Sequence, residues 1–439
     1  MRLRSLAQGF SLIEILVGVA IGLIGCVIIF QVFAVSEGYK RSTTGGADAQ
    51  VAGALALYAL EREIKMAGFG INERVALGCN MLGYTSTRTP ASYNLSLAPV
   101  QIHAGATAAT SDIISVNYGT PYDFVPGYGL IAASMAPGAN FRLENRGGVR
   151  KFDFLVVEQP GQANCSLLNV ANIPLDGVPP APVACGGSNT TDSVEICGTA
   201  KIDADGVSRT YNPAGGLAGA PTYTVASTTA NTRYFDLGAE PVFNVYRVLN
   251  DALAVCNMRI SDCGCAGGCI AANWTPIVEN VVYMKAYYGM DTNDDGTVDT
   301  FDSRICRDTA HPYTPVAGDN FGGQWTTSSD TNSDGLHDTW TPGAPSAYDW
   351  SRVMAIRLAV VVRSQQYEKT DLDTGFNTVA GVIKLWPDAP SGEKTGCVNS
   401  ATLSGPASTG PTYTIPDLKY RYRVFETIIP LRNVLWMPG

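Results

Sequence analysis

The 439 residues include 39 acidic and 30 basic side chains, a formal charge of -9, with 46% hydrophobic and only 16% charged residues. This composition is too apolar and too weakly charged for a disordered chain, and 46 Gly and 25 Pro without a three-residue period exclude collagen. The acidic balance argues against wrapping a nucleic acid, which needs a basic face to neutralise phosphates. A low charged fraction with many Gly, Ser, Thr and Asn instead fits an exported chain rich in strands and loops.

The chain opens with Arg2 and Arg4 ahead of an apolar run that contains one charge, Glu14. Ile15 to Val35 is 21 uncharged residues, roughly 32 Å of helix at 1.5 Å per residue, long enough to cross a bilayer core. Basic residues on the short side place that end in the cytoplasm and the rest outside. A secretory signal has a shorter apolar region and a small-residue cleavage site after it. Here the junction Gly9-Phe10 precedes the run, so the helix is kept after cleavage.

A carboxylate at the end of a membrane helix costs a few kcal/mol unless it is paired or protonated, which makes Glu14 informative. After a cut behind Gly9, Phe10 carries the new amine and Glu14 is the fifth residue, so amine and carboxylate of neighbouring subunits can neutralise each other. The run Gly9-Phe10-Ser11-Leu12-Ile13-Glu14 resembles the class III signal of type IV prepilins and type II secretion pseudopilins. The resemblance implies cleavage after Gly9 by a prepilin peptidase/methyltransferase, N-methylation of Phe10, and pairing of Glu14 with an adjacent subunit during extraction from the membrane. Prepilins usually have a proline in this helix. None is present here, and Gly18, Gly22 and Gly25 stand there instead.

Ala47 to Met66 continues as an amphipathic helix, with Val51, Leu55 and Tyr58 on one stripe and Leu57, Leu60 and Ile64 on another, a wide face suited to packing on a sheet. Gly68 and Gly70 end it, and Gly45-Gly46 is the expected break between the two halves. The predicted organisation is a leader over 1–9, a transmembrane or filament-core helix over 10–35, an amphipathic helix over 36–70 and a β-rich extracytoplasmic domain over 71–439. The fold class is α+β: a long N-terminal helix packed on an antiparallel, β-rich, pilin-like domain with long disulfide-stapled loops.

Strands are predicted at 112–118, 152–158, 243–249, 277–288, 353–363 and 420–430, with loops elsewhere, notably 174–200. The segments RVMAIRLAVVVRSQ and RYRVFETIIPLRN, with AGFGIN after the helix, resemble the PilW-type minor pilins. That resemblance implies a minor pilin of the type IV pilus at or near the filament tip, which primes assembly and helps to display a PilY-type tip adhesin, in support of adhesion and twitching motility. Its implied partners are other minor pilins, the major pilin, the assembly platform and, before assembly, the inner membrane. The alternatives are a pseudopilin at the tip of a secretion pseudopilus, or a pilus-borne ligand- or DNA-binding subunit, the last disfavoured by the acidic charge.

Of the 11 cysteines, Cys26 lies in the apolar helix as a small hydrophobe. The other ten, Cys79, Cys165, Cys185, Cys197, Cys256, Cys263, Cys265, Cys269, Cys306 and Cys397, are candidates for disulfides in an oxidising compartment, with the pairing open. Zinc or an iron–sulfur cluster at Cys256, Cys263, Cys265 and Cys269 is the weaker reading, because paired Cys-x-x-Cys spacing and a nearby His are both lacking.

Two acidic loops follow the D-x-[DN]-x-[DN]-G pattern, in which alternate side chains turn onto one cation and a glycine permits the bend. In 291–302, Asp291, Asn293 and Asp295 offer side chains, Thr297 its carbonyl, Asp299 a direct or water-bridged contact, and Asp302 stands where a bidentate Glu is usual. In 330–341, Asp330, Asn332, Asp334, the Leu336 carbonyl and Asp338 repeat the pattern, but Thr341 replaces the last acid. Hard oxygen donors select Ca²⁺; without flanking helices these are loops between strands, and ion-free Asp/Asn/Gly turns are the alternative. No catalytic motif appears, and His103, His311 and His337 are scattered, so no enzyme is expected.

Overall fold

The computed structural model describes residues 11–72, 76–105, 110–123, 128–130, 140–159, 164–173, 193–213, 217–219, 232–264, 269–291, 296–298, 300–302, 323–324, 341–342, 350–367, 378–379, 381–386 and 411–435. The architecture is α+β: one long helix, α1, against antiparallel β-sheets.

Helix α1 runs unbroken over Leu12–Met66, 55 residues, through the Gly45-Gly46 pair at which a break was expected. The reason is packing. A Cβ at Gly45 would lie 3.3 Å from that of Ser364, so this glycine lets the helix meet the sheet closely instead of loosening it. From there the buried residues are Gly45, Ala49, Gly53, Ala56, Leu60 and Ile64, spaced three or four apart on one face. Small residues come first and large ones later, so the helix axis nears the sheet at its N-terminal contact. Leu60 and Ile64, fully buried, contribute about 2–3 kcal/mol each in transfer free energy. The first-named stripe does not pack: Val51, Leu55 and Tyr58 are 68%, 49% and 64% exposed. The helix stops where predicted, with Gly68 and Gly70 both near φ +80°.

Three larger sheets contribute to the main core that the helix shares. The first has the order 92–96, 80–84, 164–169, 154–158, 233–236, 128–129. Within it Asn80–Tyr84 pairs parallel with Asn164–Asn169, and the Cys79–Cys165 disulfide joins the same two strands. The second sheet has the order 275–279, 252–257, 242–249, 113–118, 100–103. The third, 300–302, 281–290, 353–363, 422–430, carries α1. Along Val353–Arg363, Ile356, Leu358, Val360 and Val362 enter the main core shared with α1, while Ala359 and Val361 enter a separate aromatic core with Tyr283, Tyr287, Trp386 and Tyr413. Both faces of this strand are covered, as its continuous run of apolar residues requires.

Two expectations are corrected. The predicted strand 277–288 is two strands, Thr275–Glu279 and Val281–Met290. Asn280 between them has φ 64° and turns the chain from the second sheet to the third; Asn tolerates that left-handed conformation. The predicted loop over 174–200 contains strand Ser193–Glu195 and the start of Ala200–Ile202, three-residue pieces too short to show a period.

Candidate assembly helix and the sites around it

The N-terminal half of α1 projects from the domain: Leu12 to Val35 presents its large apolar side chains to the outside, and none of the most apolar stretch is buried. Ser11 is the N-cap, in extended conformation, and Glu14 falls in the first helical turn. Ser11-x-x-Glu14 has the form of a capping box, yet Ser11 makes no side-chain cap bond. Glu14 is exposed at the positive end of the helix dipole, where a carboxylate is favoured. Gly9 and Phe10 lie outside the described residues.

The C-terminal end of α1 is fixed by polar contacts that the sequence did not announce. The Asn433 side-chain amide, in the terminal helix α2 (Arg432–Leu435), donates to the Lys65, Met66 and Ala67 carbonyls at 3.4, 3.2 and 3.0 Å. These are orphan carbonyls of the last helical turn. The Tyr118 hydroxyl donates to Glu63 Oε2 at 3.0 Å, tying the helix to the second sheet.

Around the domain, Cys79–Cys165 and Cys256–Cys263 are disulfides, with sequence separations of 86 and 7. Cys197 and Cys269 are also disulfide-bonded, so three of the four clustered cysteines are in disulfides, while Cys26 is a free, exposed thiol. Cys185, Cys265, Cys306 and Cys397 lie outside the described residues. The buried Asp203 carboxylate accepts Arg209 at 2.9 Å and meets Arg259 at 3.4 Å and Lys201 at 3.2 Å. Burial alone would raise its pKa; the Tyr211 hydroxyl and the three cations outweigh that and hold it below the usual carboxylate value.

The first acidic loop joins Val281–Met290 to Thr300–Asp302, whose residues pair as Met290 with Thr300 and Tyr288 with Asp302. Asp291 is buried, and its Oδ2 accepts the Gly296 amide at 2.7 Å, with Gly296 at φ +83°. The first and sixth positions thus close on each other. Thr297 is exposed. Asn293, Asp295 and Asp299 lie outside the described residues, as do Asp330, Asn332, Asp334, Leu336 and Asp338 of the second loop. Among the described residues no three His, Cys, Asp or Glu side chains converge as a metal site.

Residues 4–30 match the family profile described as prokaryotic N-terminal methylation motif, and residues 257–433 match that of type IV Pilus-assembly protein W. The chain thus has a prepilin-type N-terminus and, towards its other end, a segment similar to type IV pilus-assembly protein W. The PilW match takes in the third sheet and the close of the chain through Asn433, whereas the first sheet lies outside both matches. No curated protein and no solved structure matches the chain. Both matches point to a type IV pilin-like, structural pilus component.

Proposed function

We propose that the protein is a minor pilin incorporated at or near the tip of a type IV pilus, where it primes assembly and helps to hold a tip adhesin. The observation that carries this reading is the division of α1. One half is clamped to the third sheet through Gly45, Ala49, Gly53, Ala56, Leu60 and Ile64, and the other exposes apolar side chains all round. Such a surface needs either lipid or other helices around it. In the inner membrane, with the N-terminus cytoplasmic, lipid covers it; in the filament, the helices of other minor pilins and the major pilin do. Cleavage behind Gly9 and methylation of Phe10 precede the transfer, and Glu14 meets the Phe10 amine of a neighbour as the subunit leaves the bilayer.

Two further parts of the reading concern the domain. The loop over 291–302 binds Ca²⁺, supported by the contact between Asp291 and Gly296 that closes the loop; the loop over 330–341 is its weaker copy. The adhesin contacts the domain rather than the helix. Immunogold labelling of the native chain on whole cells tests the tip position: label confined to filament ends, with fewer filaments in a deletion strain, is expected. Label spread along the shaft, or unchanged piliation without the gene, contradicts it.

A further inference from the structure

Two buried carboxyl groups unrelated to the helix lie on one face of neighbouring strands of the first sheet. Asp153, just ahead of Phe154–Glu158, is 5% exposed, and Asp236, the last residue of Arg233–Asp236, is 2% exposed. Asp153 Oδ2 accepts the Arg150 backbone amide at 2.6 Å, and Asp236 Oδ1 accepts the Gly238 amide at 2.7 Å. Asp236 stands opposite Leu155 in the strand pair, which puts Asp153 diagonal to it on the same face, near enough for each carboxyl to act on the other's titration, and Asp236 Oδ2 has no hydrogen-bond partner. Two ionised carboxylates cannot bond to each other, so a bond between them requires a proton on one.

The cations that face the pair are Arg150 and Lys201, and both are engaged elsewhere. The Arg150 guanidinium lies 3.4 Å from the Tyr122 ring centroid. The Lys201 ammonium is held by the Ala239 carbonyl and Glu240 at 2.5 Å each, and by Asp203 at 3.2 Å. A divalent cation would need more oxygen ligands, and no third acid joins the two among the described residues.

The pair sits at a joint. Leu237 N–H donates to the Phe154 carbonyl at 2.8 Å and Phe154 N–H to that of Gly238 at 2.9 Å, where two interior strands of the first sheet end. Thr120 N–H, just past the Ile113–Tyr118 strand of the second sheet, donates to the Leu237 carbonyl at 2.7 Å. Gly238 has φ +76°, and a Cβ there would lie 2.3 Å from the Thr120 oxygen. Gly119 N–H in turn donates to the Phe69 carbonyl at the end of α1.

We propose that Asp153 and Asp236 share one proton and form an acid-stabilised latch that holds the first sheet against the second and loosens as the pH rises towards neutrality. Burial first, and then the charge of Asp153, push Asp236 up to about 7; burial raises Asp153 as well. Between the ordinary carboxyl range, about 4, and about 7, the folded protein keeps a proton that the unfolded chain has released. Stability therefore falls as pH climbs through that window and levels off above it.

The test is amide hydrogen exchange of the full-length chain in detergent micelles at about pH 5 and about pH 7.5, corrected for the intrinsic pH dependence of exchange. The opening population of peptides covering 153–159 and 233–238 should rise, by at most about tenfold per pH unit for one proton, while 281–290 and 353–363 change far less. Asp236→Asn keeps the oxygen that accepts Gly238 and gives Asp153 an N–H donor, so it should stay protected at both pH values. Asp153→Asn, measured alongside in case the first variant fails to fold, should flatten the response in the same way. Equal protection of the wild type at both pH values, the wild-type response surviving in the folded Asn variants, or protection at the higher pH restored by calcium would overturn the proton assignment.

Discussion

Gly53→Ala tests whether the clamp between α1 and the third sheet sets the position of the domain on the helix. In an exposed helix this change stabilises by about 1 kcal/mol, because glycine has the larger backbone entropy to lose. Here the added Cβ would lie 1.9, 2.2 and 2.6 Å from Cε2, Cδ2 and Cζ of Phe425, a half-buried ring on the edge strand that packs against the main core. The ring must swing out or the helix must lift, and overpacking of this kind costs about 1–3 kcal/mol. Subtracting the propensity gain leaves a net loss of up to about 2 kcal/mol. Gly46→Ala is the control, since its Cβ meets nothing within 4 Å; it should gain about 1 kcal/mol. Thermal unfolding of both variants in micelles, followed by intrinsic fluorescence, should therefore shift in opposite directions. In a Phe425→Ala background, Gly53→Ala should become stabilising. Equal shifts for the two glycine variants, or a Gly53→Ala loss that persists without the Phe425 ring, would refute the packing argument.

Two further predictions concern the domain. The Cys79–Cys165 disulfide closes a separation of 86 residues, so Cys79→Ser/Cys165→Ser should lower unfolding free energy by about 4 kcal/mol. Unfolding of wild type and variant in parallel checks this, and a variant that melts with the wild type would show that the parallel strand pair holds without the bridge. For calcium, saturating ion should raise the melting temperature of the full chain and chelator should reverse the rise, by mass action; Asp291→Ala/Asp295→Ala should remove the response, and a shift that survives in that variant would locate the ion elsewhere.

How much of this could be read from the sequence varied with the length and the purity of each signal. The helix end at Gly68 and Gly70 and the strand over 353–363 were legible, because long apolar patterns with clear breakers have few alternative structures. The full packing face was not, although Leu60 and Ile64 of one predicted stripe are buried. Val51, Leu55 and Tyr58 are the more hydrophobic set, but Gly45, Ala49, Gly53 and Ala56 pack, since small residues allow the closer approach. Alignment of those small residues with Leu60 and Ile64 was the signal to follow. Asn250-Asp251, both at positive φ between Val242–Leu249 and Ala252–Asn257, was a readable hairpin turn that went unread. The parallel pairing beside Cys79–Cys165 and the placing of Asp153 and Asp236 on one face, separated widely in sequence, arise only from the tertiary fold.

The central claim is that the exposed half of α1, led by Glu14, carries the subunit from membrane to filament. The most direct measurement is the amount of mature chain in sheared filaments and in membranes for wild type and Glu14→Ala, by immunoblot. Processing behind Gly9 should be largely unchanged in the variant, with the mature chain retained in the membrane and absent from filaments. Normal recovery of Glu14→Ala in the filament fraction, with normal surface piliation, would contradict the account.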